Sequence, residues 1–486
     1  KMDKKEKNII KKEKNLTGLI SEKEKSLALR CMEAALRHGA DQARVSLNKS
    51  VLDSYSMLNG ELDKVAHSAD RSIFLYVFAD GKYGTFSTNM LDETELDRFA
   101  AQAVESVKML AEDRYRTLPE LSRTACDAVT GRELGLYDES YEDLTSEDRL
   151  RLAGNECIFK DIAAGTPLPD EDSSCDAGAQ GSRRFLVISE ECEYSDSVDD
   201  NFTADSHGFS GRHTETSFAI CSEITIEAGG KKYSGYWWDS SPYLSGLHKG
   251  ICSETALNKA VSQIGPERHR GGKFRMVVDR SVSSRLISPV ISALNAASIQ
   301  QESSFLKDSL GKKLFSDGLT LVDLARTPGK PGSRFFDTEG VATHDMDIIR
   351  NGTVETWFVN TYMAGKMGIK PTIEGVSRPV LMPYHASGHG IPDSFGADEM
   401  IAEYGSGIYV TGFNGGNCNP TTGNFSYGIE GFAFKNGKVT HPVREMIITG
   451  NMLELWNGLL AAGNDARACT RWQIPSLCFG DVHFSA

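Results

Sequence analysis

The sequence predicts an α+β protein: an N-terminal α/β sandwich-like domain, then a strand-rich, mostly antiparallel C-terminal domain. Three observations carry this. Strand, hairpin and helix patterns succeed one another up to Leu110. A long strand-like run extends from Phe185 to Trp238. Beyond Gly272, Asn-Gly pairs sit between short β-branched and aromatic runs, the mark of tight antiparallel hairpins.

The elements follow in order. Residues 1–20 form a charged tail, basic from Lys1 to Lys14 but interleaved with Asp3, Glu6 and Glu13. Leu27, Cys31 and Ala35 then recur at helical spacing, and the helix ends at His38-Gly39. Ala43, Val45 and Leu47 alternate as a strand, and Asn59-Gly60 marks a turn. The wholly apolar run Ile73 to Phe78 reads as a strand covered on both faces, followed by a hairpin at Asp80-Gly81. Asp92 and Glu95 resemble a capping box for a helix whose apolar stripe runs from Leu96 to Leu110. From Arg116 to about Gly181 the pattern is weaker and more helical, with a surface loop over Gly165 to Gln180 and a subdomain break near 120–180. Leu247 to Ile264 reads as a helix. Gly265-Pro266 and Gly271-Gly272 separate an N-terminal domain, 21–265, from a C-terminal domain, 266–486. The second opens with a strand, Phe274 to Val278, and a helix, Val282 to Ser298. Hairpins follow at Asn351-Gly352 and Asn436-Gly437, with a further strand at Ile408 to Val410.

Composition narrows the function. A net charge of −14 repels nucleic-acid phosphates, so no nucleic-acid partner is expected. No apolar stretch is long enough to span a membrane, and the charged start carries no signal-peptide pattern. The ten cysteines have no Cys-x-x-Cys pairing, so they read as free thiols in a reducing cytoplasm. The acidic stretch Glu190, Glu191, Glu193, Asp196, Asp199 and Asp200 lacks calcium-loop spacing and reads as a solvated face.

The chain carries few signatures of catalytic chemistry. No histidine is followed by glutamate, which excludes His-Glu-x-x-His and its variants. His385 and His389 are four apart and could clip a metal with Asp393. Pro383, Gly388, Gly390 and Pro392 argue instead for a glycine-rich loop, where that spacing has no fixed geometry. Cys418 has no assignable histidine partner, and neither a Gly-x-Ser-x-Gly elbow nor a phosphate-binding glycine loop occurs. No catalytic or metal-ligating residue is therefore assigned.

An ordered series of short motifs resembles the TldD/PmbA family, once called modulators of DNA gyrase. It includes Gly39-Ala40-Asp41, Gly60-Glu61-Leu62-Asp63-Lys64-Val65, Phe336-Asp337-Thr338-Glu339-Gly340 and Thr422-Gly423-Asn424-Phe425-Ser426-Tyr427-Gly428. Gly463-Asn464-Asp465 and Ile474-Pro475-Ser476-Leu477 extend it. Ser206-His207-Gly208-Phe209-Ser210-Gly211 resembles the PmbA (TldE) branch in particular. The resemblance implies a heteromeric metalloprotease acting on unfolded peptides, linked to microcin maturation, in which a TldD-like subunit holds zinc through His-Glu-x-x-x-His. The corresponding stretch here, about Ile287 to Phe305, has no histidine and only Glu302 as an acid; Cys469 lies where the active branch has a further ligand. The resemblance thus implies a metal-free partner subunit, a homodimer when alone, with zinc in the TldD-like partner. Tyr384 to Phe395 looks like an insertion, and Arg467 to Trp472 is bulkier and more polar than the family pattern. Two alternatives stay open: a self-sufficient metallopeptidase with an unrecognised site, and a binding protein modulating gyrase-linked toxin or antitoxin function.

One segment is a candidate for peptide contact. Gly412, Phe413, Asn414, Gly415, Gly416 and Asn417 follow the strand at Ile408 to Val410. Glycines there would let another backbone add as a strand, whose main-chain hydrogen bonds suit any sequence. The other reading is an ordinary loop between two strands.

Overall fold

The computed structural model describes residues 19–160, 185–388 and 390–486. The charged tail, apart from its last two residues, and the Gly165–Gln180 loop lie outside them. The chain is α+β. A six-stranded antiparallel sheet, ordered β3-β2-β1-β4-β5-β6, uses Gln42–Leu58 (β1), Glu61–Ala79 (β2), Lys82–Thr88 (β3), Leu186–Asp205 (β4), Ser210–Ala228 (β5) and Lys231–Ser241 (β6).

Helices cover one face of this sheet. Helix α1 (Glu22–Arg37) starts with Ser21 and Glu24 capping each other and stops before Gly39, whose φ of 100° only glycine takes without strain. Helix α2 (Glu93–Lys108) is capped by Asp92, whose side chain accepts from the Thr94 and Glu95 N–H groups. Both pack on Val45, Leu47, Ile73, Leu75 and Val77. Further along the same face lie α3 (Ser146–Glu156) and α4 (Cys252–Ser262), over Tyr194, Phe218, Ile220 and Ile224.

Three expectations change here. Ile73 to Phe78 is not covered on both faces: Phe74 and Tyr76 are half-buried and line a cleft on the side away from the helices. Within the described residues, the segment after Arg116 is helical at α3, in short 3-10 turns at Leu121–Arg123 and Glu139–Asp143, and again at residues 159–160. Elsewhere it lies along β5, with Arg212, Thr214 and Thr216 donating main-chain bonds to Ala128, Gly131 and Leu136. The acidic stretch is only half solvated. Strand alternation puts Glu190, Asp196 and Asp200 on the helix-covered face, at most 2% exposed. Glu190 accepts from the Ile158 and Phe159 N–H groups, Asp196 binds Arg149, and Asp200 binds Arg212 and the Ile20 N–H.

The second half is built around a sheet that closes on itself. Gly272–Val278 (β7) lies parallel to one strand and antiparallel to another. Leu321–Asp323 (β8), Met346–Arg350 (β9), Thr353–Val354 (β10) and Pro379–Leu381 (β11) make a small sheet ordered β10-β9-β8-β11. The larger sheet runs β12-β16-β17-β15-β14-β13-β7, with Tyr384–His385 (β12), Gly407–Cys418 (β13), Asn424–Lys435 (β14), Lys438–Asn451 (β15), Leu459–Ala462 (β16) and Leu477–Ser485 (β17). Because β17 also pairs with β7, strands β7, β13, β14, β15 and β17 form a closed ring. Its core includes Met276, Ile408, Tyr427, Ile448, Phe479 and Phe484. The predicted helix Val282 to Ser298 is broken in two, α5 (Ser284–Ala293) and α6 (Ala296–Gln300). Asn295 leaves the helix to bridge Phe358 and caps α6 through the Ala297 N–H.

The halves meet through the turn 336–341. Arg44 of β1 donates to the carbonyls of Thr338 and Glu339, and Asp337 accepts from the Glu339, Val341 and Glu374 N–H groups. Burial, reinforced by Glu339 and Glu374, pushes the Asp337 carboxyl up to about 6. Between its unfolded pKa near 4 and this folded value, the unfolded chain loses the proton while the folded chain keeps it. Stability therefore falls as pH rises through that window, by roughly 3 kcal/mol in all. Urea titrations at pH 4 and pH 7 should show the wild type losing about this much relative to Asp337→Asn; equal changes in both proteins would contradict it.

Candidate functional site

The glycine stretch 412–417 is not a loop. Strand β13 runs on through it to Cys418, pairing Gly412 with Glu430, Phe413 with Ile429, Asn414 with Gly428 and Asn417 with Ser426. Gly415 and Gly416, at φ 70° and 80°, form a bulge within the ladder. On the opposite side β13 meets β7 only at Ile408 to Val410. Beyond that point no described main-chain group pairs with it; only the Arg285 guanidinium reaches the Gly416 carbonyl, at 3.3 Å. Residues 411–417 therefore present a sheet edge to the outside, and Asn414 to Asn417 are exposed.

Beside this edge is a cleft of about 340 Å³ between α5 and the β13–β14 hairpin. Helix α5 buries Leu286, Ile287, Val290 and Ile291 in the ring core and turns Arg285, Ser288, Pro289 and Ser292 towards the cleft. The hairpin adds Asn417, Cys418, Pro420 and Tyr427. Arg285 lies over the Tyr427 ring at 5.4 Å. Burial raises the Cys418 thiol and the Tyr427 phenol, so neither is an anionic nucleophile near neutrality.

The zinc that the resemblance implies for a TldD-like subunit would require histidine and carboxylate donors on this helix. Ser288 and Ser292 occupy an i, i+4 pair facing the cleft, where two histidines could clasp a metal, and serine hydroxyls do not replace imidazoles at zinc. Glu302 is exposed and paired with Lys307. Cys469 sits against β6, where its carbonyl accepts from Ser240. No histidine, aspartate or glutamate is among the described residues lining the cleft. The donor set does not fit a hydrolytic zinc.

The other sequence candidates go elsewhere. Histidine 385 has both ring nitrogens engaged, Nε2 with Glu403 at 2.8 Å and Nδ1 with Ser387 at 2.6 Å, and its ring stacks on Tyr404. Histidine 389 lies outside the described residues, and Asp393 is exposed. The nine cysteines among the described residues are all free. One donor cluster escaped sequence reading because its members are far apart in the chain: Cys157, Glu190 and Cys192, with ligand atoms within 4.8 Å of one another. A hydrogen bond from Cys157 and then burial push the Cys192 thiol far up, and the cluster lies beneath α3 among Tyr55, Tyr194 and Phe218. It offers a peptide no access. No helix among the described residues is long and apolar enough to cross a membrane.

Comparison with known proteins covers nearly the whole chain. Residues 271–486 match the PmbA/TldA metallopeptidase C-terminal domain, and residues 43–107 match domain 1 of the same metallopeptidases. Metalloprotease PmbA of Escherichia coli O157:H7 is 25% identical over 445 residues, covering 91% of this chain and 92% of that protein. A PmbA homologue of Haemophilus influenzae is 23% identical, covering 98% and 100%. Among solved structures, a candidate modulator of DNA gyrase from Bacteroides thetaiotaomicron is 38% identical with a TM-score of 0.85, covering 96% of this chain and all of that one. TldE from Thermococcus kodakarensis, 17% identical with a TM-score of 0.76 over 95% of this chain and all of that one, shares the fold.

Proposed function

Since the chain belongs to the PmbA/TldD metallopeptidase family, we propose that it is the metal-free partner subunit of a TldD/TldE-type protease acting on unfolded peptides. The observation that carries this is the cleft beside the β13 edge, whose ionisable lining residues are Arg285, Cys418 and Tyr427. None supplies a metal ligand set or a general base. The edge itself suits a subunit that handles substrate without cutting it. A peptide strand added along residues 412–417 would be held by main-chain bonds that suit any sequence. Zinc belongs in this reading to a TldD-like partner, and the chain forms a homodimer when that partner is absent. We take 21–265 and 266–486 as its two domains and the cytoplasm as its compartment.

The test is reconstitution. The purified chain is expected to cleave no unfolded peptide, with or without added zinc, and to bind a TldD-like homologue that does. Zinc-dependent cleavage by the chain alone would overturn the proposal in favour of a self-sufficient metallopeptidase.

A further inference from the structure

Away from β13, a second cleft of about 430 Å³ opens between the helix-free face of the six-stranded sheet and the 332–338 segment. Its sheet wall is amphipathic. Asn48 presents its amide nitrogen, its oxygen accepting from Asn201, whose own amide is held by Ser46, Asn48 and Thr203; Phe74 and Tyr76 present aromatic surface. The opposite wall carries Arg334 and Arg471.

These arginines and their neighbour Arg378 are unusual in their partners. Arg334 donates to Ser377 Oγ at 2.8 Å and to the Gly375 carbonyl at 3.0 Å. Arg471 reaches the Val376 and Ser377 carbonyls, both at 3.4 Å. Arg378 is 7% exposed, and its Nε has no hydrogen-bond partner among the described residues. Among the described residues, every acceptor found for them is neutral and none of the three forms a salt bridge. One carboxylate, Asp323, acts on Arg334, Arg378 and Arg471 alike, and its oxygens are already taken by the Ser377 and Arg378 N–H groups. Three guanidiniums thus share Asp323, with Asp345 the next carboxylate beside it. Burial opposes the charge on Arg378, and Arg334 adds repulsion at the more exposed Arg471. Arginine does not escape by losing its proton, so the excess positive charge stays. The acids lining the cleft do not offset it: Asp337 is engaged by three N–H groups and Glu215 pairs with His213.

We propose that Arg334 and Arg471, backed by Arg378, receive a peptide carboxylate in this cleft. The planar forks match a carboxylate's two oxygens, the Asn48 amide nitrogen suits a carbonyl of the adjoining main chain, and Phe74 and Tyr76 suit the neighbouring side chain. The identity of the ligand as a peptide rests on the function proposed above. The carboxylate comes either from a chain terminus or from an aspartate or glutamate side chain.

The experiment uses the full chain alone, so it does not depend on a partner or on cleavage. Fluorescein-labelled unfolded heptapeptides are titrated by anisotropy in three forms: free C-terminus without acidic residues, C-terminal amide without acidic residues, and amide with one glutamate. The free acid or the glutamate amide is expected to bind at least about tenfold tighter than the neutral amide, a difference of about 1.4 kcal/mol. Tighter free acid assigns the terminus, and tighter glutamate amide assigns the side chain. The difference should collapse in Arg471→Gln and in Arg334→Gln. Arg471 is exposed, so that variant keeps the test sound if the other fails to fold. Equal binding of all three forms, a difference that survives Arg471→Gln, or preferential displacement by inorganic phosphate at concentrations where acetate has no effect would each overturn the proposal. Peptide cleavage by the chain alone would sink the partner-subunit reading and leave this result standing.

Discussion

Replacing Arg149 by methionine should lower folding stability by roughly 3–5 kcal/mol, the usual cost of stranding one member of a buried ion pair. Arg149 projects from α3 into the layer beneath it. Its Nε and Nη2 bind the two oxygens of Asp196 at 2.7 and 2.9 Å, and Asp53 lies 3.6 Å away. The Asp196 side chain is fully buried. Burial already raises its carboxyl, with Arg149 the main opposing influence. Without the guanidinium, Asp196 must either stay charged beside Asp53 or take up a proton. Above the unfolded pKa near 4 the second course costs more with each pH unit, so the variant's deficit should be larger at pH 8 than at pH 5. Arg149→Met/Asp196→Leu should recover most of the loss. Urea denaturation at pH 7 decides it; a loss under 1 kcal/mol would mean that water reaches the pair.

The second large effect concerns the β13 edge, where two glycines should behave differently. A Cβ on Gly416 would fall inside the Ser426 carbonyl oxygen of the paired strand, at a φ of 80°. Gly416→Val should therefore disrupt the β13–β14 hairpin and lower the melting temperature by several degrees, whatever the edge does. Gly412 has a far milder conflict: its Cβ would meet Glu430 Cβ at 3.3 Å, which asks the paired strand to give by a few tenths of an ångström, while the carboxylate end of Glu430 can swing aside. Gly412→Val should keep the fold and the binding of a TldD-like subunit, yet cut peptide turnover by the reconstituted pair at least about tenfold. Unchanged turnover with Gly412→Val would remove the edge from the mechanism without touching family membership.

The legible parts of the fold were those specified by neighbours in sequence. Asn59, Asn351 and Asn436 all take the left-handed conformation that Asn-Gly hairpins require, with φ between 47° and 54°. The stop of α1 at Gly39 and the cap at Asp92 were equally local. What was hidden depends on distant partners. Six acids in eleven residues look solvated until β4 is placed in a sheet, where alternation buries every other side and Arg149 and Arg212 arrive from elsewhere in the chain. The glycines of β13 suggest a loop because strand formation there rests on the β14 ladder, not on propensity. The site was legible mainly as an absence of histidines between Ile287 and Phe305. The arginine cluster was not: Arg334, Arg378 and Arg471 span well over a hundred residues, and their missing counter-charges can be counted only once the chain is folded.

The closed ring also sets a timetable for biosynthesis. Strand β7 ends at Val278, and β17, which seals the seam against it, begins at Leu477. At the usual ~5–20 residues per second, a nascent chain waits about 10–40 s between making one side of the seam and the other. Every strand of the six-stranded sheet is made before Pro242 and can assemble on the ribosome. Meanwhile Met276, Val277 and Val278, wholly covered in the finished molecule, have no β17 to shelter them. The newborn protein is thus half finished and sticky for tens of seconds, a window in which chaperones that bind short apolar segments have their opportunity.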